Sequence, residues 1–385
     1  MAAATTRGAG SRPLLGFRVG IAAHRGSQEQ ADALRRAGAE PVVGAVLGPV
    51  PSARIEALEA VTEDLLARPP SVVVLTSAAG IEGWLGTAEG AGRGSALRDA
   101  LAGATVLAQG DAAAASSALD VAVAATLPPG GVEGGAQLAR LTGGLTGARV
   151  AVQVQAGHPA GQATAGLVAG LVTAGIDVVD VAVPVAPPAE DSQAALRLLE
   201  AVVEQRVDAL TFTAPDEVRG FVALAVGAGA GNEALAALSG DVVPACMGPA
   251  CAQVATSAGF RGVIQPERAR VGAMVEVLGE QLGTGVVRLE LGGVDVVIRG
   301  ALALVDDEEV WLADRERGLL EALARRPGTV VAKAELLRRV WRSDGIDGAE
   351  AHAVEVAVAR LRRRLGPAGA GLQTVPRRGY RLVSG

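Results

Sequence analysis

The residues with most chemistry to offer are basic and lie near the C-terminus. Between Glu350 and Leu365 a helical pattern brings His352, Val356, Ala359, Arg360 and Arg363 to one face, with Arg362 and Arg364 on its flanks. Val354, Val358, Leu361 and Leu365 fall together on the other side as a core stripe. A basic face interrupted by small and apolar side chains suits a DNA major groove. There an arginine reaches guanine O6 and N7, Val356 meets a thymine methyl, and Ala359 permits close approach. The charge pattern alone also fits an ordinary solvated helix. The next segment lowers the weight of that plainer reading. Leu372 to Leu382 reads as a β-hairpin with Arg377 and Arg378 at its tip and Gly379 making the turn. Arginines placed so contact phosphates or enter the adjacent minor groove.

The remaining reactive side chains promise less. Cys246 and Cys251 are too few for a disulfide framework, and the three histidines have no zinc spacing, so neither metal nor cofactor is expected. Cys251 opens a predicted helix, whose N-terminus would lower a thiol pKa; the plainer reading makes both cysteines small buried residues.

The elements that position these residues fall into two styles. Up to about residue 285, short Val-rich runs alternate with Ala/Leu-rich helical patterns. Strands are expected at Phe17–Ala22, Val72–Leu75, Thr105–Ala108, Arg149–Val154, Val178–Val183, Ala209–Thr213 and Val242–Cys246. Helices are expected at Gln28–Ala37, Ile55–Ala67, Ala163–Ala174 and Gln193–Gln205. Continuous apolar runs separated by crossover helices predict α/β architecture with parallel sheets. A weak internal repeat, Ser77 against Ala214 and Gly110 against Gly248, suggests two similar lobes. Leu282–Val287 is a small-residue stretch, and beyond it the pattern turns to charged, short β segments and amphipathic helices, which marks a domain boundary.

Charge follows that boundary. The chain carries −6 overall, yet from Arg325 onward thirteen basic side chains face five acidic ones. A basic tail on an acidic body points to a polyanionic partner for the tail alone. No apolar run reaches about twenty residues and no signal peptide is visible, so a soluble cytoplasmic protein without a membrane partner is expected.

From about Gly293 to Ser384 the sequence resembles the OmpR/PhoB-like winged-helix family. The resemblance is carried by Leu312…Glu316…Leu319-Leu320, Glu335-Leu336-Leu337…Val340-Trp341, Val354-Glu355-Val356…Leu361–Leu365 and Thr374-Val375…Gly379-Tyr380-Arg381. It implies double-stranded DNA as partner, base contact by Arg360, and backbone contacts from His352, Arg362, Trp341 and Thr374. Arg363 and Val356 share that face. Two positions depart from the family. Pro376 stands where many relatives have arginine, shifting the wing contact to Arg377 or Arg378. Ala313 replaces a capping threonine, leaving Asp314 as the expected cap. Such regulators usually carry a phospho-accepting receiver in front, but Ala23-His24-Arg25-Gly26 lacks the acidic pair a receiver needs, so phosphorelay control is rejected.

From about Leu14 to Leu282 the order and spacing of short landmarks resemble uroporphyrinogen-III synthase. These are Gly16–Ile21, Val74–Ala78, Leu210–Pro215 and Met247-Gly248-Pro249…Gly259. The resemblance implies two α/β lobes, 14–47 with 188–282 and 50–183, then a linker at 283–292 and the winged helix-turn-helix domain at 293–385. It also implies a linear tetrapyrrole or other small anionic ligand between the lobes, near Thr76, Ser77, Thr213, Gly248 and Pro249; helix capping is the plainer role for Thr76 or Ser77 alone. The family's catalytic-region tyrosine is missing: Val181–Ala186 has none, and Tyr380 is the chain's one tyrosine. The reaction relies largely on folding the substrate and stabilising charge, so the loss does not by itself abolish turnover. It favours a transcription regulator with a synthase-derived sensor, of the actinobacterial kind associated with nitrate and nitrite assimilation. The alternatives are a bifunctional synthase of hydroxymethylbilane cyclisation that also binds DNA, and a body that only dimerises or meets a partner regulator.

Overall fold

The computed structural model describes residues 12–109, 112–113, 116, 121–127, 149–156, 168–169, 171–173, 175–187, 189, 192–342 and 348–383. The chain divides into two compact units, one running to Val46 and resuming at Ala189, the other spanning Leu47–Pro188.

The first unit opens with strand β1 (Arg18–Ile21), helix α1 (Ser27–Arg36) and strand β2 (Glu40–Val43). The chain then builds the second unit from α2 (Ser52–Ala67), β3 (Val72–Leu75), α3 (Ala78–Gly90), α4 (Gly94–Gly103), β4 (Thr105–Gln109), β5 (Ala125–Leu127), β6 (Arg149–Ala156) and β7 (Asp177–Pro184). Their sheet is parallel in the order β5-β4-β3-β6-β7. Val73, Leu75, Ile81, Trp84 and Leu97 bury one face of it, and the Trp84 indole N–H finds an acceptor in the Thr62 hydroxyl at 2.9 Å. That bond removes the cost of an unpaired donor in an apolar interior. Most of the helix expected at Ala163–Ala174, and the Gly110 half of the repeat, lie outside the described residues.

Back in the first unit follow α5 (Ser192–Val203), β8 (Ala209–Phe212), α6 (Pro215–Gly227), α7 (Gly231–Leu238), β9 (Val243–Cys246), α8 (Pro249–Ser257) and α9 (Val271–Gly283). The sheet order is β2-β1-β8-β9, all parallel. The strand–helix–helix–strand run from β8 to β9 repeats the run from β3 to β4, and Ser77 and Ala214 occupy the same place, the extended N-cap of the helix after the strand. Two parallel α/β lobes are therefore present, as the alternation of runs implies.

The C-terminal domain begins earlier than expected. Val287–Leu291, inside the segment read as linker, is strand β10, the outer strand of an antiparallel sheet with β11 (Val294–Arg299), β12 (Leu302–Val305) and β13 (Glu308–Trp311). Gly292-Gly293 and Asp306-Asp307 make two-residue turns with positive φ at both positions, the geometry that matches strand twist. Leu302–Val305 and Glu308–Trp311 are thereby two strands joined by the Asp306-Asp307 turn. Next come α10 (Asp314–Ala324), α11 (Lys333–Leu336), which widens into a π turn over Leu337–Trp341, and α12 (Gly348–Arg364). Strands β14 (Leu372–Val375) and β15 (Gly379–Leu382) form the closing hairpin. Val354, Val358, Leu361 and Leu365 are all buried, packed with Leu319, Leu320, Leu323 and Leu336.

Because the α12 stripe is close-packed, truncating it should be costly. Leu361→Ala is expected to lower stability by about 2–5 kcal/mol, whereas Ala359→Ser on the exposed face should stay within about 0.5 kcal/mol. Urea unfolding followed by tryptophan fluorescence measures both; equal small effects would show that α12 is not packed as described.

Candidate nucleic-acid interface and the lobe termini

The four arginines near the end of α12 have different fates. Arg364, itself exposed, is engaged by the domain, donating to the Trp311 carbonyl at 2.8 Å and pairing with the buried Glu316 at 2.9 Å. Arg362 reaches across to the hairpin, donating to the Leu372 carbonyl at 2.7 Å and the Thr374 hydroxyl at 2.8 Å. Arg360 and Arg363 are exposed, and no ion-pair partner is seen for either among the described residues. His352 is exposed near Glu355, and Val356 is half-buried beside them. The helix thus has its C-terminal end bolted to the domain and its outward guanidiniums free.

The hairpin tip is built differently from expectation. The Arg378 N–H donates to the Val375 carbonyl at 3.0 Å, so the turn runs through Pro376 and Arg377, with Arg377 at φ 59°. Proline's fixed φ suits the first central position of such a turn. Gly379 does not make the turn. It starts β15 at φ 138°, where a Cβ would come within 2.0 Å of the Val331 carbonyl oxygen. Close passage of Val331, which exchanges backbone hydrogen bonds with Tyr380, is what demands glycine. Arg377 and Arg378 remain exposed at the tip. A cavity of roughly 570 Å³ separates α12 from the hairpin, edged by Lys333, Glu355, Arg362, Thr374, Arg377 and Arg378.

Trp341 ends the π turn, under the Arg315 guanidinium at 5.4 Å. Asp314 is not the cap of α10. Ala313 takes the N-cap position, its N–H donating to the Glu316 carboxylate at 2.9 Å, while Asp314 pairs with Arg18. Glu316 therefore caps α10 from the third helical position, a local spacing, and also anchors α12 through Arg364, which no local spacing announces.

In the second unit, Ser77 is the N-cap of α3, accepting from the Gly80 N–H at 3.1 Å. Thr76 is tied to the buried Gln153, its N–H and hydroxyl 2.9 and 2.8 Å from the Gln153 side-chain and backbone oxygens. In the first unit, Thr213 donates its N–H (2.6 Å) and its hydroxyl (2.9 Å) to Glu217, which also accepts from the Ala214 N–H at 3.2 Å. The Thr213 donors, expected to receive a ligand carboxylate, thus already hold one from the chain itself. Gly248, at φ 106°, and Pro249 open α8 with no side-chain cap. Cys246 and Cys251 are both buried, and the Cys251 thiol lies against the Phe212 carbonyl. Its hydrogen bond with Cys246, together with burial, pushes that thiol up, opposite to the lowering expected at a helix N-terminus.

With this geometry in place, the class is clear: a winged-helix DNA-binding domain carried on two α/β lobes. The family model for uroporphyrinogen-III synthase HemD matches residues 28–276, and that for the C-terminal domain of transcriptional regulatory proteins matches 307–382. The chain belongs to the uroporphyrinogen-III synthase HemD family, with a C-terminal domain of the OmpR/PhoB type. It is 42% identical over 78 residues to the transcriptional regulatory protein TcrA of Mycobacterium tuberculosis, covering 20% of this chain and 30% of that protein. It is 35% identical over 97 residues to PrrA of Mycobacterium leprae, covering 25% of this chain and 41% of that one. The chain thus spans less than half the length of these regulators. Among solved structures, uroporphyrinogen III synthase from Thermus thermophilus is similar over 70% of this chain and 99% of its own, at 21% identity and a TM-score of 0.43. The C-terminal domain of the nisin resistance regulator NsrR is similar over 24% of this chain and 94% of its own, at 33% identity and a TM-score of 0.21.

Glu217 offers a pH test of the filled terminus. Burial pushes its carboxyl up from the ordinary 4.5, against the pull of the Thr213 and Ala214 donors. A raised acid contributes stability that is full below its unfolded pKa and is lost as pH rises through the folded one. Glu217→Gln keeps an acceptor for the two N–H groups without a charge to bury, so it should gain on wild type as pH rises from about 4 to 7. Glu217→Ala, which orphans the donors, should lose about 1–3 kcal/mol at every pH. Urea midpoints across that range decide it, and a glutamine variant that falls behind with rising pH would contradict this assignment.

Proposed function

We propose that the chain is a sequence-reading transcription regulator whose HemD-like body serves as a sensor rather than a synthase. One observation carries the DNA-reading half: of the arginines on α12, Arg362 and Arg364 are spent on holding the helix, while Arg360 and Arg363 face outward with His352 and Val356 beside them. In this reading Arg360 contacts a base edge and Arg363 and His352 support it. Arg362 and Thr374 present their remaining donors to the backbone, and Arg377 and Arg378 engage phosphates or the minor groove. Trp341, stacked under Arg315, supports the α11–α12 corner and contacts the backbone only through its exposed rim.

The sensor reading is supported by what the lobes have done with their polar termini. Thr213 and the N-terminus of α6 are committed to Glu217, Ser77 to capping, and Thr76 to Gln153. No tyrosine exists outside the DNA-binding domain. Thr76, Ser77 and Thr213 therefore act first as structural termini for which a small anionic effector would have to compete, while Gly248 and Pro249 stand at the uncapped start of α8, the helix terminus left to such a ligand. The second reading, a synthase that also binds DNA, rests on the family match over 28–276.

Two measurements test these halves. Arg360→Ala should cost about 1–3 kcal/mol on the cognate site and relax preference at one base pair. Arg378→Ala should weaken binding to all duplexes alike and flatten the salt dependence. Equal, sequence-blind losses would remove the base-reading role of Arg360. For the body, the full chain should turn over hydroxymethylbilane no faster than the spontaneous closure to the symmetric isomer. Predominance of the type III isomer would promote the synthase reading.

A further inference from the structure

The DNA-binding domain meets the first lobe along a seam of buried opposite charges and touching backbones. Asp208, just before β8, accepts the Arg18 N–H at 2.7 Å and the Arg317 guanidinium at 2.6 Å. Arg317 lies on α10 and also holds Glu321 at 2.9 Å. The Asp208 and Arg317 side chains are only 9% and 7% exposed. Burial pushes the Asp208 carboxyl up against the pull of Arg317, while Asp208 and Glu321 keep Arg317 charged despite its burial. A carboxylate so desolvated needs its counter-charge, and that counter-charge comes from the other domain.

Backbones touch there as well. The Ala301 N–H donates to the Gly16 carbonyl at 2.8 Å. A Cβ on Gly16 would stand 2.4 Å from the Arg299 carbonyl oxygen, and one on Gly300 would stand 2.7 Å from the Gly16 oxygen. Arg299 donates to the Pro13 carbonyl at 2.7 Å and lies 5.6 Å from the Phe17 ring centroid. Around the rim, Arg18 pairs with Asp314, Arg325 with Asp241 at 2.5 Å, and Arg12 with Glu309 at 3.3 Å. None of His352, Arg360, Arg363, Arg377 or Arg378 takes part, and all five are exposed.

We infer that the α10 and β11–β13 face of the DNA-binding domain is a docking surface for the chain's own first lobe, latched by Asp208–Arg317, so that lobe and reader travel as one body with α12 and the hairpin outward. The occupant is fixed by charge complementarity: a buried acid on the lobe meets a buried guanidinium on the reader, and glycines on each side allow the backbones to touch. Regulation then reaches DNA through where the lobe is carried, not through release of a tethered reader. The connection Thr284–Val286 is exposed or half-exposed and is not what holds the halves together.

Hydrogen exchange of the full chain, read by peptide mass, tests this without reference to DNA sequence. In wild type, peptides covering Gly16–Val19 and Arg299–Leu302 should be protected. Asp208→Asn with Arg317→Met should speed their exchange at least about tenfold while α12, the hairpin and affinity for a short duplex keep their wild-type values. A second variant guards against misfolding: inserting about ten Gly/Ser residues at Gly285, a change that costs little loop-closure entropy, should leave the seam protected. Protection lost on lengthening the connection, or seam peptides that exchange freely in wild type, or a double variant as protected as wild type, would each overturn the latch.

Discussion

What the DNA-binding domain presents outward depends on how α12 is held from within. Its Val354–Leu365 stripe fills the core, and its last turn is fixed by two charged contacts, Arg364 to Glu316 and Arg362 to the β14 backbone. A helix with four arginines in five residues has no intrinsic preference for which of them face solvent. The two inward commitments supply that preference, and they do so through an acid that is already fixed as the cap of α10. Position, not charge count, is what converts a basic helix into a reader: guanidiniums meet base edges only if the helix axis is set within the width of a groove.

The same rule, that a buried charge or hydrogen-bond donor must be met, runs through the lobes. Glu217 fills the donors at the head of α6, Asp208 is met by Arg317 across the seam, and the Trp84 indole is met by Thr62. Each solves a local cost by internal means. In this HemD-family body the helix termini after β3 and β8 are thereby occupied by the chain's own side chains, Ser77 and Glu217. The seam adds that the first lobe and the reader also meet directly, through Asp208–Arg317 and the Gly16–Ala301 backbone contact.

Much of this was legible in the sequence. Continuous Val runs alternating with helices identify parallel lobes, because strands covered on both faces carry no polar alternation. The helical spacing of Val354, Val358, Leu361 and Leu365 marks the buried face of α12, and the opposite face follows by subtraction. Other features were illegible for physical reasons. Strand β10 follows a small-residue stretch with the composition of a linker, which draws attention from its own alternation of Val287, Leu289 and Leu291 with Arg288 and Glu290; pairing with Val294–Ile298 sets it in the sheet. Asp314 looked like the cap because capping is read from local residue type, whereas Glu316 reaches back from three residues on. Gly379 looked like a turn glycine because its real constraint, the passage of Val331, comes from a distant segment. The Asp208–Arg317 pair joins residues 109 apart, and nothing in local spacing encodes it.

The central claim is that this chain reads DNA sequence through α12. Selection of bound duplexes from a random-sequence pool by the full chain, at a salt concentration that suppresses backbone-only binding, tests it most directly. The account predicts enrichment of a short shared motif compatible with major-groove contacts by one helix. Bound duplexes with the same sequence distribution as the starting pool would contradict it.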